Sequence, residues 1–270
     1  MDEKIHFSII VICLNAGDKL QKTVNSILAQ DYKDYEIVVK DGGSSDGSVE
    51  KLGAESAEGL AEKIKLFVKK DTGIYDAMNQ AVSLAQGEYV LFLNCGDSFP
   101  SADILKRTAA FMAEHPGRSI YYGDTFCEQT SARVASPPKI TPFVCYRNIP
   151  CHQSCFYKRE LFDKKNYDKA YRIRADYDHF LWCCLKEGVQ PAYMDFIVAN
   201  YEGGGYSESA ANKKRDKEEH KLITKEYLTK GQRAKYKLVM ALTLAPLRRF
   251  LAEKTAFSKV YNKVKAGLYK

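Results

Sequence analysis

No uninterrupted apolar run of eighteen residues occurs in this 270-residue chain, so no transmembrane helix is expected. An amino-terminal signal pattern is missing too, since Met1-Asp2-Glu3-Lys4 opens acidic and an apolar segment follows at once. Eight cysteines invite a disulfide framework, but without a secretory pattern reduced, cytosolic thiols are the simpler reading. Cys145, Cys151, His152 and Cys155 crowd one stretch without the paired C-x2-C spacings of structural zinc folds. Two phosphate loops are also absent. The first turn, Leu14-Asn15-Ala16-Gly17-Asp18, holds no G-x-G-x-x-G, and no G-x-x-x-x-G-K-[ST] occurs anywhere. The loop at 41–48 resembles a calcium loop superficially but lacks the alternating ligands and the closing Glu.

What is present is a globular composition with 45% hydrophobic residues, enough for a sizeable core. The formal net charge is +7. Its basic excess lies mostly after Asn212 rather than interleaved with aromatics across the body, so nucleic acid is not the expected partner. A membrane surface or another anionic partner for the tail fits better.

The amino-terminal hundred residues spell alternating strands and helices. Residues 6–14, HFSIIVICL, form a short continuous apolar run suited to a strand covered on both faces. A helix over 19–29 carries one apolar stripe, Leu20, Val24, Ile27 and Leu28. Further strands are expected at 35–40, 64–68 and 89–93, with helices at 48–61 and from Ile74 to Leu84. Such βαβ units imply a parallel, doubly wound sheet. After Pro100 a helix over 102–115, a short strand at 120–122, an irregular stretch at 127–142, a helix over 176–186 and a strand at 192–201 follow.

In open α/β sheets ligands sit beyond the carboxyl ends of strands. Three of those ends carry polar loops, at Asn15, at Asp41 and at Asp97, and together they mark a site. Asp97 either caps a turn or holds a divalent ion, which would supply the positive charge that the missing phosphate loops do not. Asp176, at the amino end of its helix, is either a cap or a general base at the mouth of a cleft. Asp178 lies two residues on, facing away from it. His152 and Gln153 sit between a proline and an aromatic strand, where a His serves as hydrogen-bonder or catalyst. The triple glycine at 203–205 is a lid or a plain connector. The apolar stretch 238–247, followed by Arg248, Arg249, Lys254, Lys259, Lys263 and Lys265, suits a helix lying in a membrane interface, packing back on the body, or making a dimer contact.

Taken together, FSIIVICLNAG, VVKDGGSSDGS, DTGIYDAMNQAVSLAQGEYVLFLNCGD, PCHQSCFYKRELF and IRADYDHFLW resemble the family 2 glycosyltransferases of the GT-A fold, close to the bacterial enzymes of surface polysaccharides. The resemblance covers residues 5–210 and implies a GT-A domain over 1–210, with a nucleotide-sugar half at 1–100, an acceptor half at 101–210 and a basic helical tail at 211–270. It implies that Leu14 and Asn15 border the base, that Asp41 accepts from a uracil ring, and that Asp71 and Asn79 line the nucleotide side. Asp97 corresponds to the last carboxylate of the D-x-D metal motif. The usual Asp-x-Asp-Asp reads Asn94-Cys95-Gly96-Asp97 here, leaving one carboxylate for Mg²⁺ or Mn²⁺. Asp176 matches the catalytic base, with Ala175 where a Glu often stands, and His152, Gln153 and Asp178 are placed on the acceptor or donor-sugar side. The implied reaction is an inverting transfer from a nucleotide sugar, expected to be a UDP-sugar, to a saccharide, in a cytoplasmic protein peripheral to the inner membrane. A lipid-linked acceptor and a homodimer belong to the same expectation. A nucleotidyltransferase and an inactive sugar-nucleotide binder are the alternatives.

Overall fold

The computed structural model describes residues 6–55, 61–203 and 212–242. Strand β1 (Phe7–Cys13) lies at the centre of the parallel half of the sheet. It pairs in parallel with β2 (Tyr35–Asp41) on one side and β4 (Tyr89–Phe92) on the other. β3 (Ile64–Val68) closes that edge beside β2, and its Leu66 and Val68 stay exposed. The other half is mixed: β7 (Cys155–Lys158) joins β4 to β5 (Ile120–Cys127) in antiparallel fashion, and β6 (Ala132–Val134) pairs antiparallel with β5. β8 (Ala192–Tyr201) adds to β5 in parallel. The sheet is therefore mostly α/β and doubly wound in its first half, as the alternating strands and helices imply.

Side-chain alternation along β1 builds two cores. Ile9 and Val11 point to one face, where α1 (Asp18–Leu28) brings Leu20, Val24 and Ile27 and α4 (Ile104–Glu114) brings Ile104, Leu105 and Met112. Ile10 points to the other, onto Met78 and Ala81 of α3 (Ile74–Val82) and Phe180 and Cys183 of α7 (Ala175–Leu185). The remaining helices are α2 (Ser48–Glu55), α5 (Pro142–Arg147), α6 (Glu160–Lys164), α8 (Lys213–Tyr227) and α9 (Lys230–Leu242). α8 belongs to the body, because its Ile223 is buried with Cys145, Tyr177 and Leu181. The rest of the basic tail after Leu242 lies outside the described residues, as does most of the triple-glycine stretch. Among the described residues no helix is long and apolar enough to cross a membrane.

The sequence reading ends β5 at Tyr122, and the strand in fact runs on to Cys127. The cause is a polar interruption satisfied internally. Asp124 is fully buried, where it accepts from Arg133, from Ser136 N at 2.8 Å and from Tyr193 Oη at 3.0 Å. Beside it the β5–β8 register shifts, and a Cβ on Gly123 would approach Phe196 O to 2.7 Å. A buried carboxylate next to a close backbone approach hides a strand from hydrophobic patterning. β6 likewise falls in the stretch expected to be irregular.

Candidate active site

The ends of β1 and β2 are tied together by short side chains. Asn15, with a left-handed φ of 50°, receives Ser45 N on its Oδ1 at 2.9 Å and donates its own backbone N–H to Ser44 Oγ at 2.8 Å. Asp41 is buried, and its Oδ2 accepts from Gly43 N and Ser44 N at 2.8 Å each. Burial pushes its carboxyl up, but the Ser44 and Gly43 hydrogen bonds outweigh that and hold it below the ordinary range. Leu14 stands 59% exposed over this floor. A Cβ on Gly42 would meet Asp71 Oδ2 at 3.0 Å and Leu14 Cδ1 at 3.2 Å, so these loops touch only because residue 42 has no side chain. Leu14, Asn15, Asp41 and Asp71 thus form one surface.

Beneath it lies Lys40, which the sequence reading passes over. Its ammonium is fully buried and donates to Asp41 O at 3.0 Å, Lys69 O at 2.6 Å and Asp71 Oδ2 at 2.8 Å. Three donors meet three acceptors, so the buried ammonium leaves no N–H without a partner. A lysine following the apolar run Ile37-Val38-Val39 in a fully buried strand is the sequence signal.

The turn after β4 is pinned by Thr23 of α1, whose Oγ1 accepts from Gly96 N at 3.0 Å and donates to Asp97 O at 2.7 Å. Asp97 is 4% exposed. Its Oδ1 accepts from Glu202 N and its Oδ2 from Gln153 Nε2, both at 3.1 Å, and burial raises its carboxyl. The neighbouring His152 places Nδ1 3.4 Å from Asp176 Oδ2 and Nε2 3.1 Å from Asn94 Nδ2. Consecutive residues of one turn therefore join Asp97 to Asp176, which come from parts of the chain far apart in sequence. Asp176 keeps 20% of its side chain exposed. Burial raises its carboxyl, yet the hydrogen bond and charge of His152 more than offset this, and it stays below the usual carboxylate range. Tyr75 of α3, unnoticed in the sequence, puts its hydroxyl 2.8 Å from Asp176 Oδ1 and 2.6 Å from Ile173 O.

Two expectations are redirected. Asn79 spends its amide on the protein, donating to Tyr167 O at 2.9 Å and accepting from Tyr167 N at 3.0 Å, so it clips α3 to the 165–173 segment. Asp178 is 1% exposed, paired with Lys165 Nζ at 2.8 Å and accepting from Tyr227 Oη at 2.9 Å, on the opposite side of α7 from Asp176. It anchors α8 and is not part of the sugar site.

Asn94, Asp97 and Glu202 have donor chemistry that fits a hard cation. Asn94 Oδ1 is buried without a hydrogen-bond partner, Asp97 retains unused lone pairs, and the Glu202 carboxylate fills the space that a side chain on Gly96 would need. A carboxylate thus stands near the motif position that lacks one, held by Lys19 Nζ at 2.7 Å. Among the described residues no group of three or more His, Cys, Asp and Glu side chains is placed to hold a metal ion.

A mostly parallel sheet with polar loops at the ends of β1, β2 and β4 has the layout of a GT-A glycosyltransferase. The chain belongs to glycosyl transferase family 2, whose family model matches residues 8–173, and it is a transferase that moves a sugar from a nucleotide-diphosphate donor to an acceptor. A PGL/p-HBAD biosynthesis glycosyltransferase of Mycobacterium bovis is 38% identical over 209 residues, 77% of this chain and 81% of that protein. Among solved structures, S. aureus TarS 1-349 in complex with UDP-GlcNAc superposes with a TM-score of 0.68 at 19% identity, covering 86% of this chain and 70% of that one. The mannosyltransferase PcManGT from Pyrobaculum calidifontis in complex with GDP-Man and Mn²⁺ gives 0.62 at 16% identity, covering 98% and 87%. These two likenesses establish the fold.

Proposed function

We propose that the chain is an inverting transferase that uses a UDP-sugar and a saccharide hydroxyl, in the assembly of a cell-surface polysaccharide or glycan. The observation that carries this is Asp176: a partly open carboxylate, kept ionised beside His152, reaching the Asp97 turn through the His152–Gln153 pair. Asp176 takes the proton of the acceptor hydroxyl as its oxygen bonds to the anomeric carbon, while the bond from that carbon to the diphosphate oxygen breaks. With one base and, among the described residues, no carboxylate in contact with it to act as a nucleophile, the displacement is single and inverts the centre. Leu14, Asn15, Asp41 and Asp71 line the nucleotide side, with Asp41 Oδ1 and Oδ2 already drawn into the floor. A divalent ion, held by Asp97 with Asn94 Oδ1 and Glu202, would neutralise the departing diphosphate.

Support for the donor comes from TarS, whose crystals hold UDP-GlcNAc. Support for the ion comes from PcManGT with Mn²⁺. For the partner, a groove of about 520 Å³ between α5, α8 and α9 is lined by Tyr146, Lys221, Lys230, Arg233 and Lys237, and suits an acidic membrane surface. The test is thermal shift with UDP-, GDP- and dTDP-sugars, with and without Mn²⁺, followed by assay of the product. A donor raises the melting temperature by mass action and releases UDP in the presence of a saccharide acceptor. Release of pyrophosphate from a nucleoside triphosphate supplied with a sugar phosphate would instead make the chain a nucleotidyltransferase, and binding of nucleotide sugar with neither product would make it a binder.

A further inference from the structure

Hydrogen-bond capacity separates the two aspartates of the nucleotide floor. An ionised carboxylate offers about four lone-pair positions, two on each oxygen. Asp41 is 1% exposed and its positions are taken: Oδ2 accepts from Gly43 N and Ser44 N, and Oδ1 accepts from Ser44 Oγ and, at 3.4 Å, from Cys13 Sγ. Asp71 is less committed. Its Oδ1 accepts from Gly73 N at 3.1 Å and its Oδ2 from Lys40 Nζ at 2.8 Å. Each oxygen keeps a position open, and 13% of the side chain faces solvent.

The loop that carries Asp71 follows β3, at the exposed edge of the sheet, so the orientation of this carboxylate depends on what holds it. Lys40 has no exposed side-chain surface, and its ammonium is pinned at the same time by Asp41 O at 3.0 Å and Lys69 O at 2.6 Å. Those two carbonyls close the ends of β2 and β3. A donor fixed between two strands confines its carboxylate partner far more than a surface lysine could. Oδ2, the oxygen that Lys40 holds, also borders the bare backbone of Gly42 together with Leu14, since a Cβ there would meet Oδ2 at 3.0 Å and Leu14 Cδ1 at 3.2 Å. A flat heterocycle entering at Gly42 would find an apolar side chain for its face and an acceptor for its edge.

We propose that Lys40 is a positioning residue for the donor: its buried ammonium fixes Asp71 so that this carboxylate, rather than Asp41, accepts the ring N–H of the base. In a uracil nucleotide that group is N3–H. The proposal rests on the reading of the donor as a nucleotide sugar. With an apolar side chain at position 40, Asp71 is tied only to Gly73 N and can turn its open positions to water. A nucleotide with the ring N–H then loses a hydrogen bond, whereas a nucleotide without it has none to lose.

The experiment is calorimetric titration of the full chain with UDP and with N3-methyl-UDP, which lacks the ring N–H. The parent should bind UDP tighter by about tenfold or more, the span of a hydrogen bond to a charged group. Lys40→Met should weaken UDP by about threefold to tenfold and leave the affinity for N3-methyl-UDP as it was. Asp71→Ala should abolish the preference for UDP, and adding Lys40→Met to it should produce no further change. Melting temperatures report whether each variant is folded, and Lys40→Gln makes the same comparison should the methionine variant not fold. Equal weakening of both nucleotides by the substitution at Lys40, or a further loss when it is added to Asp71→Ala, would make Lys40 a structural residue and overturn the proposal. An undiminished preference for UDP in Asp71→Ala would overturn it as well, by giving the N–H to another acceptor. A parent that binds GDP and not UDP removes the uracil reading alone, and GDP with N1-methyl-GDP then decides the role of Lys40 in the same way.

Discussion

Asp176 and Asp97 carry the same functional group in opposite settings. Asp176 keeps an open face and a histidine beside it, and its carboxyl stays below the usual range. Asp97 is nearly closed off, and burial lifts its carboxyl. The first arrangement suits a group that must start ionised and meet a hydroxyl. The second suits a group whose charge is stabilised when a cation arrives. Asp176→Asn should therefore bind UDP as tightly as the parent and lose roughly 10²- to 10⁴-fold in kcat, the range general-base removal produces, checked by calorimetric titration beside a UDP-release assay. Asp97→Ala should weaken UDP binding in the presence of Mn²⁺ and leave the metal-free affinity close to that of the parent. Equal losses with and without Mn²⁺ would place Asp97 in the structure of the turn instead. Both aspartates stand out in the sequence, Asp97 because it closes an apolar strand and Asp176 because it opens a helix with apolar positions. Tyr75 and Lys40 do not, since an aromatic on an amphipathic helix and a lysine in a strand look like ordinary packing until their polar ends are located.

At the level of elements, strands β1 to β4 and helices α1, α3 and α4 were readable because each pairs an apolar pattern of one period with a turn signal. The mixed half was harder. β5 hides Asp124, and β7 follows a one-turn helix that carries the site residues His152 and Gln153. α7 shows what periodicity leaves out. Its helix places Asp176 and Asp178 on different faces, as the spacing implies, but nothing local announces that Lys165 and Tyr227 wait for Asp178 from 13 residues before and 49 residues after it. Those contacts tie α7 to Lys165 and to Tyr227 of α8. Asp178→Ala should accordingly lower stability by about 1–3 kcal/mol, the cost of stranding buried partners, while donor KM and turnover per folded molecule stay unchanged. Chemical denaturation and steady-state kinetics on the same preparation decide it, and a selective rise in donor KM would return Asp178 to the sugar site.

Across the whole molecule, charge is segregated: the catalytic body balances its ions in pairs, and the groove beside α9 gathers lysine and arginine. If that face meets an acidic bilayer, the chain should sediment with vesicles containing phosphatidylglycerol and not with pure phosphatidylcholine, and Lys230→Glu with Arg233→Glu should release it, as should raised salt. A second molecule-wide property follows from His179, which is wholly buried and stacks on Phe162 with ring centroids 4.4 Å apart. Burial, then the nearby Lys165 charge, pushes its imidazole down from 6.5 to about 3. The unfolded chain therefore takes up a proton near pH 6.5 that the folded chain refuses until about pH 3. Stability from this group is complete above pH 6.5 and is lost as pH falls through the window between the two values, at up to about 1.4 kcal/mol per pH unit. Carboxylates held low in the fold, Asp41, Asp76 and Asp176 among them, contribute stability present above their unfolded values and lost only at lower pH, near 4 and below. Acid should thus begin to weaken the fold well before the carboxylates titrate. Urea midpoints at pH 7, 6 and 5 should fall steadily in the parent chain and hold nearly level between pH 6 and 5 in His179→Phe. An identical decline in both would mean that the imidazole is already protonated in the folded protein.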